Sequence, residues 1–317
     1  MERPSRELLH AAERATKGAL RVKPAERVVL ITDRHALSIA EAFVHWFHHV
    51  RADLVTCLLA EPLRPADVLP AFLRRLVERA DLTVCLIEER VRERRWRQEL
   101  AQAALLNGRV CRVAAVSVET MERLVGINYA ELQELAQKLI ETMSGAREVR
   151  VTNALGTEVT FSVFGRRWWN DSGDISQRGQ LGGLPAGECF VAPVEETFHG
   201  AVAYSMVDGK LEQGTVHFEK GRVVRSQGRR IRAYLERVGR EAGGKVISEV
   251  GLGLNRSARL CEQVLEAEKS LGAVHFALGD GDGPGPGRTR HRCLMVVDKA
   301  TVEADGHVVL KDGVFQI

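Results

Sequence analysis

The strongest constraint on this chain is a repeated alternation in its first half. Short apolar runs, "RVVLITD" (27–33), "ADLVTCLLA" (52–60), "DLTVCLIEE" (81–89) and "GRVCRVAAV" (108–116), are separated by stretches with helical period. Those stretches are "ALSIAEAFVHWFHHV" (36–50), "PADVLPAFLRRLVERA" (65–80) and an arginine-rich segment reaching about residue 106. Strands that are apolar along their whole length are covered on both faces, which is the arrangement of a parallel sheet between layers of helix. Right-handed crossovers then make the first half a Rossmann-like, doubly wound α/β domain. The loop after the first strand reads "TDRHALS" and contains no glycine. A dinucleotide cradle requires GxGxxG at that place, so NAD and FAD are not expected. No GxxxxGK[ST] is present either, so no nucleotide-phosphate loop is expected.

A last helix, "NYAELQELAQKLIETMSGA" (128–146), ends on Gly145, and the pattern then changes. "REVRVTNALGTEVTFSVFG" (147–165) alternates around an "ALGT" turn and reads as a β-hairpin. Strand-like runs and glycine turns dominate from there. Two helical pieces interrupt them, "RIRAYLERVGREAG" (230–243) and "SARLCEQVLEAEKSLG" (257–272). The expected organisation is a Rossmann-like domain over 1–146 and a mainly antiparallel β domain with flanking helices over 147–317.

Composition narrows the function classes. Of 317 residues, 45% are hydrophobic and 27% charged, with a net charge of +3, an ordinary balance for a soluble globular chain. That charge is too small to argue for nucleic acid or a membrane surface as partner. The densest basic run, "RVRERRWRQE" (90–99), has acidic residues among its arginines and reads as a solvated helix face. No apolar run approaches the ~20 residues of a transmembrane helix. The N-terminus lacks the apolar core of a secretory signal, so a cytoplasmic location is expected. The six cysteines form no CxxC pair, and Cys57, Cys85 and Cys111 lie inside apolar runs, consistent with reduced thiols.

Two segments have metal-ligand spacing. "HWFHH" puts His45, His48 and His49 at i, i+3 and i+4 of a helix, but that helix belongs to a Rossmann-type layer and reads as an exposed flank. "RTRHRCLMVV" (288–297) puts His291 and Cys293 two apart at the start of a strand, where both point to one face.

Four segments in order carry a family resemblance: "LGGLPAGECFVAPVEETFHGAVAYS" (181–205), "VISEVGLGLNRSARL" (246–260), "EAEKSLGAVHFALGDG" (266–281) and "HRCLMVVDKATVEADGHVVLKDGVF" (291–315). The series resembles the aminopeptidase T family of metallopeptidases. It equally resembles a related branch containing 2,5-dihydroxypyridine 5,6-dioxygenase. The resemblance covers the chain from about 146 to the end, and the first half fits in layout. It implies that Glu188, Glu249, His275 and His291 hold one or two divalent cations. The position of the family's last ligand, an aspartate, is Cys293 here, which is the candidate fifth metal ligand. The dioxygenase branch would hold one non-haem iron through two histidines and that aspartate. A thiolate suits zinc better than iron, so zinc or cobalt is the expected metal and iron the alternative.

The resemblance also implies that Arg166, Trp168 and Asp171, in "GRRWWNDSGD" (165–174), line a substrate wall. The first expectation is therefore a metal-dependent hydrolase acting on a peptide or small amide, with a metal-activated water. The alternatives are a catalytically degenerate protein binding a peptide or small molecule on the same fold, and an iron-dependent ring-cleaving dioxygenase. A homodimer is expected on the resemblance alone. On the residues themselves, Ala273 and Ala277 flank His275 on its strand face and leave space beside the imidazole.

Overall fold

The structure is a computed structural model that describes residues 3–60, 68–88, 90, 93–114, 117–241, 243–280, 289 and 291–317. In its first part, helices and strands alternate as the hydrophobic pattern requires. The order is α1 (Arg6–Arg14), β1 (Arg27–Asp33), α2 (Leu37–His49), β2 (Asp53–Leu59), α3 (Ala71–Val77), β3 (Leu82–Ile87), α4 (Arg94–Leu105), β4 (Arg109–Ala114), α5 (Val118–Val125) and α6 (Tyr129–Met143). Serine caps start α1 and α5: Ser5 Oγ accepts from the Leu8 amide at 3.0 Å and Ser117 Oγ from the Thr120 amide at 3.1 Å.

Four short strands follow: β5 (Val149–Thr152), β6 (Glu158–Ser162), β7 (Trp168–Asp171) and β8 (Leu181–Leu184). The remaining elements are β9 (Glu188–Val191), β10 (Val194–Val207), β11 (Lys210–Glu219), β12 (Arg222–Gln227), α7 (Arg229–Val238), β13 (Ile247–Gly253), α8 (Val264–Ala267), β14 (Val274–Gly279), β15 (Arg292–Val297), β16 (Thr301–Ala304), β17 (His307–Lys311) and β18 (Val314–Phe315).

The chain divides by its contacts into two compact units, 1–133 with 173–186, and 134–172 with 187–317. The sequence places a single boundary near residue 146. The division instead passes within α6, and a later segment returns to the first unit. That return has a visible cause. β8 pairs in parallel with β4, Arg109 Nε donates to the carbonyl of Ile175 at 2.8 Å, and the Ile175 amide donates to the Ala19 carbonyl at 3.0 Å.

In the first unit the sheet order is β2-β1-β3-β4-β8, and every pairing is parallel. One face of it packs against α3 and α4, with Val29, Ile31, Ile87 and Val110 meeting Leu73, Val77, Trp96 and Leu100. The expectation of strands covered on both faces holds for β1 and β3 and fails for β2. β2 is the edge strand, and its Val55 and Leu58 are exposed. Residues 65–67, the start of the segment expected to be helical over 65–80, lie outside the described residues.

In the second unit a 13-stranded antiparallel sheet runs β18-β17-β16-β5-β6-β10-β15-β14-β13-β9-β7, with β11 and β12 branching from β10. The hairpin read around "ALGT" is β5–β6, with Gly156 at φ +100° in its turn. The helix expected over 257–272 shrinks to the four residues of α8. Around it the chain forms a strap tied to Asn255. The Asn255 amide donates to the Lys269 carbonyl at 2.9 Å and the Leu271 amide to the Asn255 carbonyl at 3.2 Å. A continuous helix would have spent those carbonyls and amides internally. Among the described residues, no helix is long and apolar enough to cross a membrane.

Candidate functional site

The site lies within the second unit, on one face of the five neighbouring strands β15-β14-β13-β9-β7. Directly opposed residues of an antiparallel pair share a face, so the register assigns the members. Asp171 stands opposite Glu188 and Trp169 opposite Phe190. Glu188 is opposite Gly253, and Phe190 is opposite Gly251. Gly251 in turn is opposite His275, and Glu249 is opposite Ala277. On the far strand, His275 is opposite Val296 and Gly279 opposite Arg292. One continuous face therefore carries Trp169, Asp171, Glu188, Phe190, Glu249, His275 and Arg292.

The glycines of "EVGLGLN" have a steric reason. A Cβ on Gly251 would collide with the His275 imidazole and come within 3.0 Å of Phe190 Cβ. A Cβ on Gly253 would collide with the Ser270 carbonyl oxygen and lie 2.8 Å from the Lys269 carbonyl carbon. The first glycine makes room for the histidine ring. The second lets the strap 268–271 lie against β13. That strap places Lys269 over the acidic cluster.

Lys269 Nζ donates to Glu188, lies 3.2 Å from Asp171 Oδ2 and 3.6 Å from Glu268 Oε1, and its side chain is only 3% exposed. Arg292 Nη2 donates to Glu249 Oε1 at 2.6 Å. His275 is wholly buried, with Nε2 3.3 Å from Glu249 Oε1 and 3.6 Å from Glu188 Oε2. Among the described residues, neither nitrogen of the ring meets hydrogen-bond geometry, and Glu249 Oε2 has no hydrogen-bond partner.

The charges set one another's protonation. Burial disfavours a charged Lys269, but Glu188, Asp171 and Glu268 outweigh it and raise the ammonium's pKa. Burial likewise opposes ionisation of Glu188, and Lys269 and His275 more than reverse that, so its carboxyl is held below the usual range. Asp171 goes the other way. Although 23% of its side chain is exposed, burial outweighs Lys269 and lifts it to about 6. Burial and then the charge of Glu188 lift Glu268 to about 7. For His275, burial disfavours the imidazolium, but Glu249, Glu188 and Glu268 prevail and its pKa is raised.

Of the residues expected from the sequence, Glu188, Glu249, His275 and Asp171 come together. His291 and Cys293 do not join them. Cys293 pairs opposite Leu278, on the other face of β14 and β15 from His275. It is buried beside Asp208, Tyr204 and Tyr234, and burial pushes its thiol up. His291 is part-exposed, with Nε2 3.6 Å from Glu241 Oε1. Arg292, the residue before Cys293, faces the cluster, so alternation along β15 turns Cys293 away from it.

Trp168 is corrected in the same way. It lies opposite Val191 on the buried side, and Trp169 takes the site face, stacked on Phe190 with ring centres 6.1 Å apart. Arg166 pairs with Glu195 at 2.7 Å. His45, His48 and His49 are exposed along α2. The space beside His275 is also filled: Ala273 and Ala277 pack with Ala267 of α8, Leu294, Val296 and Met206.

The sequence reading missed Lys269, Glu268, Arg292 and Trp169. The first two lie inside the quoted "EAEKSLG". Arg292 follows from strand alternation only once the register with β14 is known.

The five expected metal ligands therefore do not form one shell. Glu188 and Glu249 each give an oxygen to a protein cation, and among the described residues His275 Nδ1 lacks the partner that orients a ligating imidazole. Among the described residues, no group of three or more His, Cys, Asp or Glu side chains is placed to hold a metal ion. The donor set present does not fit the expected metal.

Comparison with known proteins then places the chain. Its sequence matches the family described as 2,5-dihydroxypyridine 5,6-dioxygenase (NicX) over residues 18–317. No curated protein matches it. Among solved structures, 2,5-dihydroxypyridine dioxygenase from Pseudomonas putida KT2440 aligns with a TM-score of 0.76 and 17% identity, over 98% of both chains. Wild-type AmpT from Thermus thermophilus aligns with a TM-score of 0.67 and 16% identity, over 98% of this chain and 99% of that one. At such identities the two structures speak for the fold, a parallel sheet with helices joined to a large antiparallel sheet. The family match, spanning nearly the whole sequence, speaks for descent: the chain belongs to the 2,5-dihydroxypyridine 5,6-dioxygenase family.

Proposed function

We propose that this chain is a catalytically degenerate member of its family that binds a peptide or small organic molecule on the inherited site face. The observation that carries this reading is the register that turns Cys293 to the opposite sheet face from His275, together with the pairing of His291, just before β15, with Glu241 at 3.6 Å. Iron chemistry of the kind implied by the resemblance needs two histidines and a carboxylate on one centre, and among the described residues His275 is the one histidine on this face. The hydrolase expectation loses the same two ligands. What remains suits recognition: Trp169, 36% exposed and stacked on Phe190, offers an aromatic surface, and Arg292 reaches the solvent edge of the cluster. The ligand class that matches is a small molecule or peptide with a planar ring and an acidic group. Six free cysteines fit a cytoplasmic setting.

The test pairs turnover with binding. Purified protein supplied with iron(II) and oxygen should leave 2,5-dihydroxypyridine unconsumed, and with zinc or cobalt should leave dipeptides intact. Calorimetry with a panel of aromatic carboxylates and short peptides should find a binder whose affinity falls about fivefold or more in W169A, as loss of a stacking contact worth about 1–3 kcal/mol requires. Turnover in either assay, or a panel without any binder, would overturn the reading.

A further inference from the structure

Four carboxylates crowd this site, and the chain itself supplies cations among them. Glu188 and Glu249 keep only 9% and 4% of their side chains exposed. A carboxylate so placed must be paired, metal-bound or protonated. Lys269 sits inside the group, bonded to Glu188 and close to Asp171 and Glu268. Arg292 closes the other side through Glu249. Each carboxylate next to His275 thus already has a full protein charge on one oxygen.

Both cations are fixed by the fold. Lys269 rides on the strap that Gly253 admits and that Asn255 ties to β13 through backbone bonds. Arg292 is the first residue of β15, opposite Gly279, so alternation turns it to this face. The arrangement is built at the level of register and strap rather than by side chains that chance to meet.

We infer that Lys269 and Arg292 are built-in counter-ions of the acidic cluster, so that it forms and stays folded without a divalent metal. This stands whether or not the site turns over a substrate. A catalytic chain free of metal would overturn the proposed function and leave this inference intact. A silent chain that retains metal would do the reverse.

The test uses the full chain expressed with added zinc, cobalt or iron and then passed through gel filtration. Elemental analysis should find well under one metal per chain, and the melting temperature should not change with a chelator. A retained metal at or above one per chain, whose removal lowers the melting temperature, would overturn the inference. A charge cycle supplies the second readout. R292Q should melt below the wild type, because it strands Glu249, and E249Q/R292Q should melt above R292Q, because it removes the stranded charge. If R292Q melts as high as the wild type, or the double variant melts no higher than R292Q, Arg292 is not the counter-ion.

Discussion

At the scale of single residues, the site depends on what is missing at position 251. The opposed pair Gly251 and His275 leaves the imidazole where a Cβ would otherwise be. G251A should therefore force the ring or the β13–β14 pairing to shift, at a cost of about 1–3 kcal/mol, as for other overpacked cores. Urea denaturation followed by tryptophan fluorescence checks this. A midpoint equal to the wild type would mean that the ring has room elsewhere. Residues of this kind were legible only in part. The period of two along each strand separates His291 and Cys293 from Arg292, and Trp168 from Trp169. It does not say which side faces the partner strand's histidine. That assignment comes from pairings such as Gly279 with Arg292 and Trp169 with Phe190, which join residues distant in sequence. Glu188, Glu249 and His275 were found because each sits in a distinctive local motif. Lys269 was overlooked although it lies in one, because a lysine reads as a solvated side chain until the strap that buries it is known.

At the scale of elements, the four parallel strands and the β5–β6 hairpin were legible, since each depends on a local pattern. The strap was not. "SARLCEQVLEAEKSLG" has the composition of a helix, and its buried Glu266, Glu268 and Lys269 overrule that composition. Glu266 accepts from the Arg259 amide at 3.0 Å, while Lys269 turns inward to the acidic cluster. A four-residue helix with a tied return satisfies both, and a longer helix would satisfy neither. This makes G253A informative. Its Cβ would press on the Ser270 carbonyl and lift the strap off β13. The amides of Asn255, Leu271 and Gly272, which bond to Lys269, Asn255 and Gly253, should then exchange with solvent about tenfold faster or more, equivalent to about 1.4 kcal/mol of local stability. Unchanged exchange at those three amides would show that the strap is held by its side chains instead.

At the scale of the whole molecule, the two units carry different electrostatic loads. Asp171, Glu188, Glu268, Lys269 and His275 all belong to the second unit. Asp171 and Glu268 are raised to about 6 and about 7 from 3.8 and 4.5, chiefly by burial. In that interval the folded chain keeps protons that the unfolded chain has released, so stability falls as pH rises through it. The raised His275 adds to the fall, since its contribution is complete below 6.5 and disappears as pH climbs through its folded value. Glu188 acts oppositely: its contribution is present above 4.5 and is lost as pH drops through its depressed value. The second unit should therefore be most stable in mild acid and weaken from about pH 5 to pH 8, by up to about 1.4 kcal/mol per pH unit for each proton released. The first unit contributes a different trend. There Arg27 holds Asp81 below the usual carboxylate range, and that contribution is lost only towards acid. Hydrogen exchange across this pH range, corrected for the intrinsic chemical rate, separates the two units in one experiment. Protection should decline with rising pH in residues 187–317 and not in 1–133, and E268Q should flatten the decline. An equal slope in both units, or an unaltered slope in E268Q, would place the pH response outside the buried acidic cluster.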